Sequence, residues 1–189
     1  MAFEDFQTKD SVIVVYTGEG KGKTSASVGL MARALGTDWS VAYIQFIKHW
    51  NVGEHNFIAK IADVFGDKLF FYKGGKGFFD AGDISAKNVS KEDHKAAAQQ
   101  TYDIAYTHAT SGKYDLVICD ELSNAVHDGL LEDAQLITLM TDKHPSTSLC
   151  ITGRDFPMGL LPLTDIATDM TKLKHHYDDK FLANKGIDY

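Results

Sequence analysis

The fold is decided by residues 12–24, which read Val12-Ile13-Val14-Val15-Tyr16 and then Thr17-Gly18-Glu19-Gly20-Lys21-Gly22-Lys23-Thr24. The first five residues are apolar and mostly β-branched, which predicts a buried strand. Residues 24–35 place Val28, Met31 and Leu35 on one side of a helix, and Gly36 is expected to end it. A strand, a glycine-rich turn and a helix in this order predict a βα unit.

Further apolar runs follow along the chain. They cover residues 41–47, 116–119 and 149–152, with a weaker run at 69–72. Their hydrophobicity is continuous, which is typical of a parallel sheet covered on both faces. Helical patterns separate the runs, over residues 91–110 behind an N-cap at Ser90, and over residues 130–140. The sequence therefore predicts a three-layer α/β fold with a mostly parallel sheet and right-handed crossovers.

Length and composition bound the class of protein. The chain has 189 residues, 44% hydrophobic and 24% charged, the balance of a single globular domain over residues 1–189. The apolar runs are too short to cross a bilayer, and no signal-like segment opens the chain. A net charge of −7 disfavours nucleic-acid binding. We expect a cytoplasmic protein without membrane or nucleic-acid partners, in which Cys119 and Cys150 are buried thiols.

The glycine-rich turn has the composition of a phosphate-binding loop. Small residues let backbone N–H groups approach phosphate oxygens, and the N-terminus of the following helix adds a favourable partial charge. Lys23 would reach the terminal phosphates, and the Thr24 hydroxyl would bind Mg²⁺. The general pattern has glycine where this chain has Thr17, and Lys21 adds a second cation. The alternative is a glycine-rich turn without a ligand.

Two acidic residues, Asp120 and Glu121, follow the apolar run at 116–119. A buried strand that ends in carboxylates is where a nucleotide-binding sheet places its Mg²⁺ ligands. In the alternative interpretation, Asp120 caps the next helix and Glu121 is solvated. The spacing leaves open whether Glu121 binds the metal or acts as a base for water.

Other candidate site residues follow the remaining strands, because ligands of open α/β sheets bind at the carboxyl ends of strands. Arg154 follows Ile151-Thr152-Gly153, and it either grips phosphate with its planar guanidinium group or lies on the surface. After the second run come the cleft candidates Gln45, Lys48, Trp50 and Glu54, of which Trp50 is equally a core candidate.

Two further segments attract attention. The glycine-rich residues 73–88 carry Phe78 and Phe79, which either wall a ligand or pack back onto the core. Near the end of the chain, residues 174–179 are rich in histidine and aspartate. They lack the ligand spacing of a closed zinc site, so we expect a solvated turn.

Taken together, these segments resemble the corrinoid adenosyltransferases of the ATP:cob(I)alamin, P-loop type. The Thr17 that replaces glycine is shared with that family, and the resemblance implies a RecA-like P-loop NTPase architecture. The matching segments run from near the first strand to the last residue: 17–24, 33–36, 45–48, Gly53-Glu54, Asp120-Glu121, 152–154, Lys174-His175 and 186–189.

The resemblance also implies a reaction. MgATP and cob(I)alamin, or a precursor corrinoid, would give the adenosylated corrinoid and inorganic triphosphate, in adenosylcobalamin biosynthesis or salvage. Reduced cobalt would attack the ribose C5′ without a general base. The resemblance also implies that Glu121 would be a Mg²⁺ ligand and would not activate water. The implied partners are an electron donor of the flavoprotein type, which serves the reduction of Co(II), and a second copy of the chain in a homodimer.

The residues that the resemblance implies fall into four overlapping groups. ATP would be bound by residues 17–24 with Arg33 and Arg154, and Mg²⁺ by Thr24, Asp120 and Glu121. The catalytic residues would be Lys23, Thr24, Glu121 and Arg154, and the corrinoid would contact Gln45, Lys48, Trp50, Glu54, Phe78 and Phe79. The sequence departs from the family at Asp80, which stands where a tryptophan is expected, so the role of that tryptophan passes to Phe79 or Trp50.

Two alternative functions belong to other classes. A P-loop kinase or ATPase, with Glu121 as base or water-positioning residue, would release ADP. A nucleotide-sensing or corrinoid-carrying module would bind without turnover. A corrinoid carrier of the Asp-x-His-x-x-Gly type is disfavoured, because the nearest string, residues 142–147, lacks the glycine.

Overall fold

The computed structural model describes residues 6–77 and 89–189, in which strands and helices alternate. The strands are β1 (Ile13–Thr17), β2 (Val41–Gln45), β3 (Leu69–Lys73), β4 (Leu116–Asp120), β5 (Ser148–Thr152) and β6 (Ile166–Asp169). The α-helices are α1 (Lys23–Gly36), α2 (Gly53–Phe65), α3 (Lys91–Thr110), α4 (Leu122–His127) and α5 (Asp133–Asp142). None of the helices in these residues is long and apolar enough to cross a membrane.

The six strands form one sheet in the order β3-β2-β4-β5-β1-β6, and every pairing in it is parallel. This confirms the predicted parallel sheet. Only β5 separates β1 from β4, and all three strands are parallel. The turn after β1 and the acidic residues Asp120 and Glu121 at the end of β4 therefore lie at the same edge of the sheet, the one formed by the carboxyl ends of the strands. Two inter-strand spacings set the distance between these strands, about 10 Å.

Helices cover both faces of the sheet, as the continuous apolar runs predict. On one face, Val14, Ile118 and Cys150 belong to a core that includes Met31 and Leu35 of α1 and Ile58 of α2. On the other face, the neighbouring strand residues pack with α3, α4 and α5. The three-layer α/β prediction is confirmed, and Cys119 and Cys150 are free, buried thiols in opposite layers.

Several predicted boundaries differ from the observed ones. The second run continues to residue 47, but β2 ends at Gln45 because Phe46 and Ile47 are buried beyond the strand. Gly36 remains helical, and Asp38 adopts the left-handed conformation that ends the turn (φ 66°). The apolar pattern from residue 130 begins before α5, since Leu130 and Leu131 are core residues in the preceding turn.

Candidate active site

The turn after β1 depends on conformations that favour glycine. Gly18 and Gly22 have φ values of 98° and 107°, in the left-handed region that side chains rarely adopt. The Gly20 N–H donates to the carbonyl oxygen of Met170 at 2.6 Å. A Cβ atom on Gly20 would lie 2.4 Å from that oxygen, so a larger residue cannot approach the segment after β6 so closely.

The two lysines of the loop have different surroundings. Lys23 folds back into the turn, where its Nζ donates to the carbonyl oxygens of Gly18 and Gly20 at 2.5 and 2.7 Å. Burial lowers the pKa of Lys23, and the nearby Arg154 lowers it further. Lys21 is exposed, and its Nζ lies 3.1 Å from Asp188 Oδ1. An ammonium group held by carbonyl dipoles inside the turn is available to an incoming phosphate group.

The two predicted ATP-site arginines lie in different places. Arg154 lies beside the loop, with its Nη1 atom 3.4 Å from Glu19 Oε2, and its backbone N–H donates to Asn124 Oδ1. Arg33 is exposed in the last turn of α1, which its position along the helix places about 15 Å from Lys23. The structure therefore brings Arg154 to the loop, and the assignment of Arg33 to ATP stays a prediction.

Asp120 is a buried acceptor at the end of β4. Its Oδ1 atom accepts from Thr152 Oγ1 at 2.7 Å. Its Oδ2 atom accepts from Gln45 Nε2 at 2.8 Å and from Thr24 Oγ1 at 3.2 Å. Three donors from three different segments fix the carboxylate next to the phosphate loop.

Glu121 is both strained and incompletely paired. Its φ of 63° is unusual for a residue with a side chain, and such strain concentrates at functional sites. Its Oε2 atom is buried without a hydrogen-bond partner. Burial, together with the charge of Asp120, raises the pKa of Glu121 to about 7. An unpaired carboxylate oxygen beside a second carboxylate is an arrangement that a bound cation would stabilise.

The donors at this edge fit Mg²⁺. Thr24, Asp120 and Glu121 offer hard oxygen atoms, which Mg²⁺ prefers. In the part of the chain that the structure describes, no group of three or more His, Cys, Asp or Glu side chains is placed to hold a metal. Mg²⁺ in nucleotide sites is commonly held by one or two carboxylates together with substrate phosphates, and this donor set matches that arrangement.

Lys48 lies among the same oxygen atoms. Its Nζ is 2.9 Å from Glu54 Oε1 and 3.2 Å from Thr24 Oγ1. It is also 3.9 Å from Glu121 Oε1 and 4.0 Å from Asp120 Oδ2. Burial lowers the pKa of Lys48, but the three carboxylates together outweigh burial, and the pKa is raised. Lys48 also holds the pKa of Glu54 below its ordinary value, in spite of burial.

A second layer supports Asp120 from α2. The Nδ1 atom of His55 accepts from the Val52 N–H, so its Nε2–H donates to Gln45 Oε1, and the Gln45 amide in turn donates to Asp120. Burial lowers the pKa of His55, which favours this neutral form. His55 was not among the predicted site residues, because no sequence pattern predicted α2. Its neighbour Glu54 was a candidate.

The remaining candidates lie at the periphery of the site. Trp50 is half-buried and packs edge-on against His49, with ring centroids 5.3 Å apart, so it is not a fully buried core residue. Phe78 and Phe79 lie outside the described residues. Near the end of the chain, His175 accepts from the Tyr177 N–H and caps a short 3₁₀ turn (His176–Asp179).

A cavity of about 630 Å³ opens beside the first half of the loop. Thr17 and Gly18 line it together with Phe156 and Met158, which follow β5, and Asp169, the last residue of β6. Its volume lies within the range of small-molecule sites. The loop and the metal-type oxygen donors beside it define a P-loop nucleotide-binding protein of the α/β class.

Comparison with known proteins identifies the family. The family described as ATP:corrinoid adenosyltransferase BtuR/CobO/CobP matches residues 9–189. The chain therefore belongs to the ATP:corrinoid adenosyltransferase family, whose members are enzymes. This agrees with the resemblance seen in the sequence.

Two relatives that are corrinoid adenosyltransferases support the same assignment. A corrinoid adenosyltransferase of Escherichia coli K12 is 29% identical, over 97% of this chain and 88% of that protein. One from Pseudomonas aeruginosa is 28% identical, over 94% of this chain and 83% of that protein. Among solved structures, the flagellar accessory protein FlaH from Methanocaldococcus jannaschii matches with a TM-score of 0.49 and 13% identity, over 85% of this chain and 71% of that chain.

Proposed function

We propose that this chain transfers the 5′-deoxyadenosyl group of ATP to the Co(I) centre of cobalamin or a precursor corrinoid, in adenosylcobalamin biosynthesis or salvage. The observation that carries the proposal is the family match over residues 9–189, which spans the phosphate loop and the acidic pair. In the reaction, a Co–C5′ bond forms and the C5′–O5′ bond breaks. The bonding electron pair leaves with inorganic triphosphate.

The residues of the loop suit a triphosphate leaving group. Negative charge builds on the departing oxygen, so cations fixed around the phosphates stabilise the transition state. Lys23 is held inside the turn, Lys21 lies at its rim, and Arg154 lies beside Glu19. We propose that Arg154 exchanges its contact with Glu19 for a phosphate oxygen when ATP binds.

Thr24, Asp120 and Glu121 would hold Mg²⁺, which supplies positive charge next to the triphosphate when bound. Co(I) is itself the nucleophile, so the reaction asks no protein group to remove a proton. Glu121 acts in this proposal through its unpaired oxygen as a ligand, and Gln45 and His55 act by orienting Asp120.

The corrinoid is expected at the same edge of the sheet, on the side of α2. Trp50 offers an aromatic surface there, and Phe78 and Phe79 belong to the predicted corrinoid wall. Gln45, Lys48 and Glu54 also stay predicted corrinoid contacts, although the contacts described above tie all three to the Mg²⁺ donors. The further proposals are a cytoplasmic homodimer and an electron donor of the flavoprotein type.

Phosphorus NMR tests the reaction. MgATP is incubated anaerobically with the protein, with and without chemically reduced cobalamin. We expect inorganic triphosphate only when cobalamin is present. Release of ADP and phosphate without regard to cobalamin would instead identify a phosphoryl-transfer enzyme.

A lysine variant connects the reaction to the loop. Lys23→Met removes the ammonium inside the turn, and we expect ATP affinity to fall roughly tenfold or more, as befits a lost charge-assisted contact. Lys68→Met is the matched control, because Lys68 pairs with Asp38 at the surface. Equal ATP affinity in the two variants would remove Lys23 from the site.

A further inference from the structure

Lys48 places its ammonium group among the oxygen atoms that are suited to Mg²⁺. Its contacts with Thr24 and Glu54 are 3.2 and 2.9 Å long, and its side chain is only 14% exposed. The same group lies within 4.0 Å of both Asp120 and Glu121. In this arrangement one protein cation offsets part of the negative charge of the three carboxyl groups.

The ammonium group and Mg²⁺ compete for the Thr24 hydroxyl oxygen. Mg²⁺ binds its ligands at about 2.0–2.1 Å and demands near-octahedral geometry. A metal ion within that distance of Thr24 and Glu121 would lie a few ångströms from Lys48 Nζ, and the like charges would repel in a buried site. Lys48 must therefore leave Thr24 Oγ1, which is 3.2 Å from its Nζ, before that oxygen can bind the metal.

Glu54 is a partner that Lys48 can keep while its ammonium group leaves the other oxygen atoms. It lies in the first turn of α2, outside the strand that carries Asp120, and it forms the shortest of the contacts to Lys48 Nζ. A lysine side chain has a flexible four-carbon stem, so its charge can change partners while its backbone stays in place. The new anion that arrives at this edge with the metal is the triphosphate.

We propose that Lys48 binds the triphosphate of MgATP. Before MgATP binds, its ammonium group pairs with the carboxylates of the metal site. This inference rests on the proposed function, because it takes the nucleotide as the ligand of the loop. It assigns Lys48 to the triphosphate leaving group in place of the predicted corrinoid contact, and it makes the metal and the nucleotide enter together. Mg²⁺ alone must displace Lys48 without offering it a new partner. MgATP brings phosphate oxygens to which the Lys48 ammonium group can bind.

The inference predicts opposite effects on two ligands. In Lys48→Met, Mn²⁺ alone, followed by electron paramagnetic resonance, should bind the nucleotide-free protein about tenfold more tightly than it binds the unmodified chain. ATP in the presence of EDTA, followed by calorimetry, should bind about tenfold more weakly. Lys73→Met is the matched control, since Lys73 ends the neighbouring strand β3 and donates to the His49 carbonyl oxygen.

The two measurements separate this role from a structural one. A lysine that only maintains the shape of the site would weaken both ligands when it is removed, and that result overturns the inference, as does unchanged Mn²⁺ affinity. If Lys48→Met does not fold, Lys48→Gln removes the charge and keeps a hydrogen-bonding side chain. If the unmodified chain binds Mn²⁺ but no ATP, the proposed function fails, and this inference fails with it.

Discussion

Thr152 on β5 donates its hydroxyl proton to Asp120 on the neighbouring strand β4, across 2.7 Å between Oγ1 and Oδ1. The same hydroxyl oxygen accepts from the Glu121 N–H at 2.9 Å. One buried side chain, that of Thr152, thus fixes both acidic residues. In the sequence, the candidate site residue of this segment was Arg154. Two hydrogen bonds depend on a group that contributes no charge.

Replacement of this hydroxyl should therefore impair both stability and ligand binding. Thr152→Val keeps the shape but leaves Asp120 Oδ1 and the Glu121 N–H without their partner, so we expect a loss of about 1–3 kcal/mol in the free energy of unfolding. MgATP affinity should fall as well. Urea unfolding and calorimetry measure the two effects. Thr152→Ser, which keeps the hydroxyl, should retain most of both, and equal losses in the two variants would contradict the hydrogen-bonding role.

Glu121 should be a residue that lowers stability. Its folded-state pKa of about 7 lies above the ordinary value of 4.5, so the unfolded chain ionises first as the pH rises. The resulting loss in the free energy of unfolding grows as the pH rises from 4.5 to about 7, and it is complete at pH 8. We expect Glu121→Gln to raise the free energy of unfolding at pH 8 by on the order of 1 kcal/mol, with a smaller gain at pH 5. It should nevertheless weaken MgATP binding.

Glu54→Gln is the matched comparison for that variant. Lys48 holds the pKa of Glu54 below its ordinary value, so the Glu54 carboxylate adds stability above its unfolded pKa. This replacement should lower the free energy of unfolding at pH 8. Urea unfolding at both pH values distinguishes the two glutamates, and a shift of the same sign in both variants would be incompatible with the electrostatics of the site.

Gly153 should not tolerate a side chain. Its φ is 143°, and a Cβ atom would lie 2.7 Å from Ser123 Cβ and 2.8 Å from the Asn124 nitrogen. Gly153→Ala must push β5 away from α4 and disturb the bond between Arg154 and Asn124, so we expect a loss of about 1–3 kcal/mol and weaker ATP binding. Gly159→Ala, where no atom lies within 4 Å of the added Cβ, is the control. Thermal unfolding of Gly153→Ala and Gly159→Ala measures the difference in stability, and an equal effect in the two variants would contradict the prediction.

His55 should make the protein sensitive to acid. Burial lowers its folded-state pKa below 6.5, so the unfolded chain takes up a proton first as the pH falls, and stability declines below that value. His55→Leu should flatten the fall in unfolding free energy between pH 7.5 and 5.5. It should also weaken MgATP binding, because the support of Asp120 through Gln45 is lost.

His108→Phe serves as the comparison. Burial also lowers the pKa of His108, which packs between Phe70 and Tyr114 on the other side of the sheet from α2. Its replacement should flatten the acid dependence without changing ATP affinity. If the unfolding free energy of His55→Leu falls with pH as steeply as that of the unmodified chain, His55 is not held neutral in the folded protein.

The sequence predicted those parts of the fold that depend on local chemistry. The buried strands β1, β2, β4 and β5 are apolar except at their ends, so their patterns identify them without tertiary information. β6 escaped detection because it is a four-residue edge strand whose side chains are all exposed. Its only described strand partner is β1, on which it completes the sheet.

The candidate site was predictable by residue type and less so by arrangement. Asp120 and Glu121 follow a buried strand, so their proximity to the loop follows from the sheet. Lys48 also follows a strand, but its position among the carboxylates depends on Glu54 and hence on α2. No local pattern predicts which neighbouring helix approaches a strand end, so contacts of this kind emerged only from the structure.

The contact between Gly20 and Met170 has a consequence for the newly synthesised chain. During synthesis the loop residues are made before Met170, which receives the Gly20 N–H, and before Asp188, which pairs with Lys21. A nascent chain that stops before β6 carries the full nucleotide-loop sequence but lacks these supports. The loop therefore cannot reach the supported form described here until the segment beyond β6 has been made.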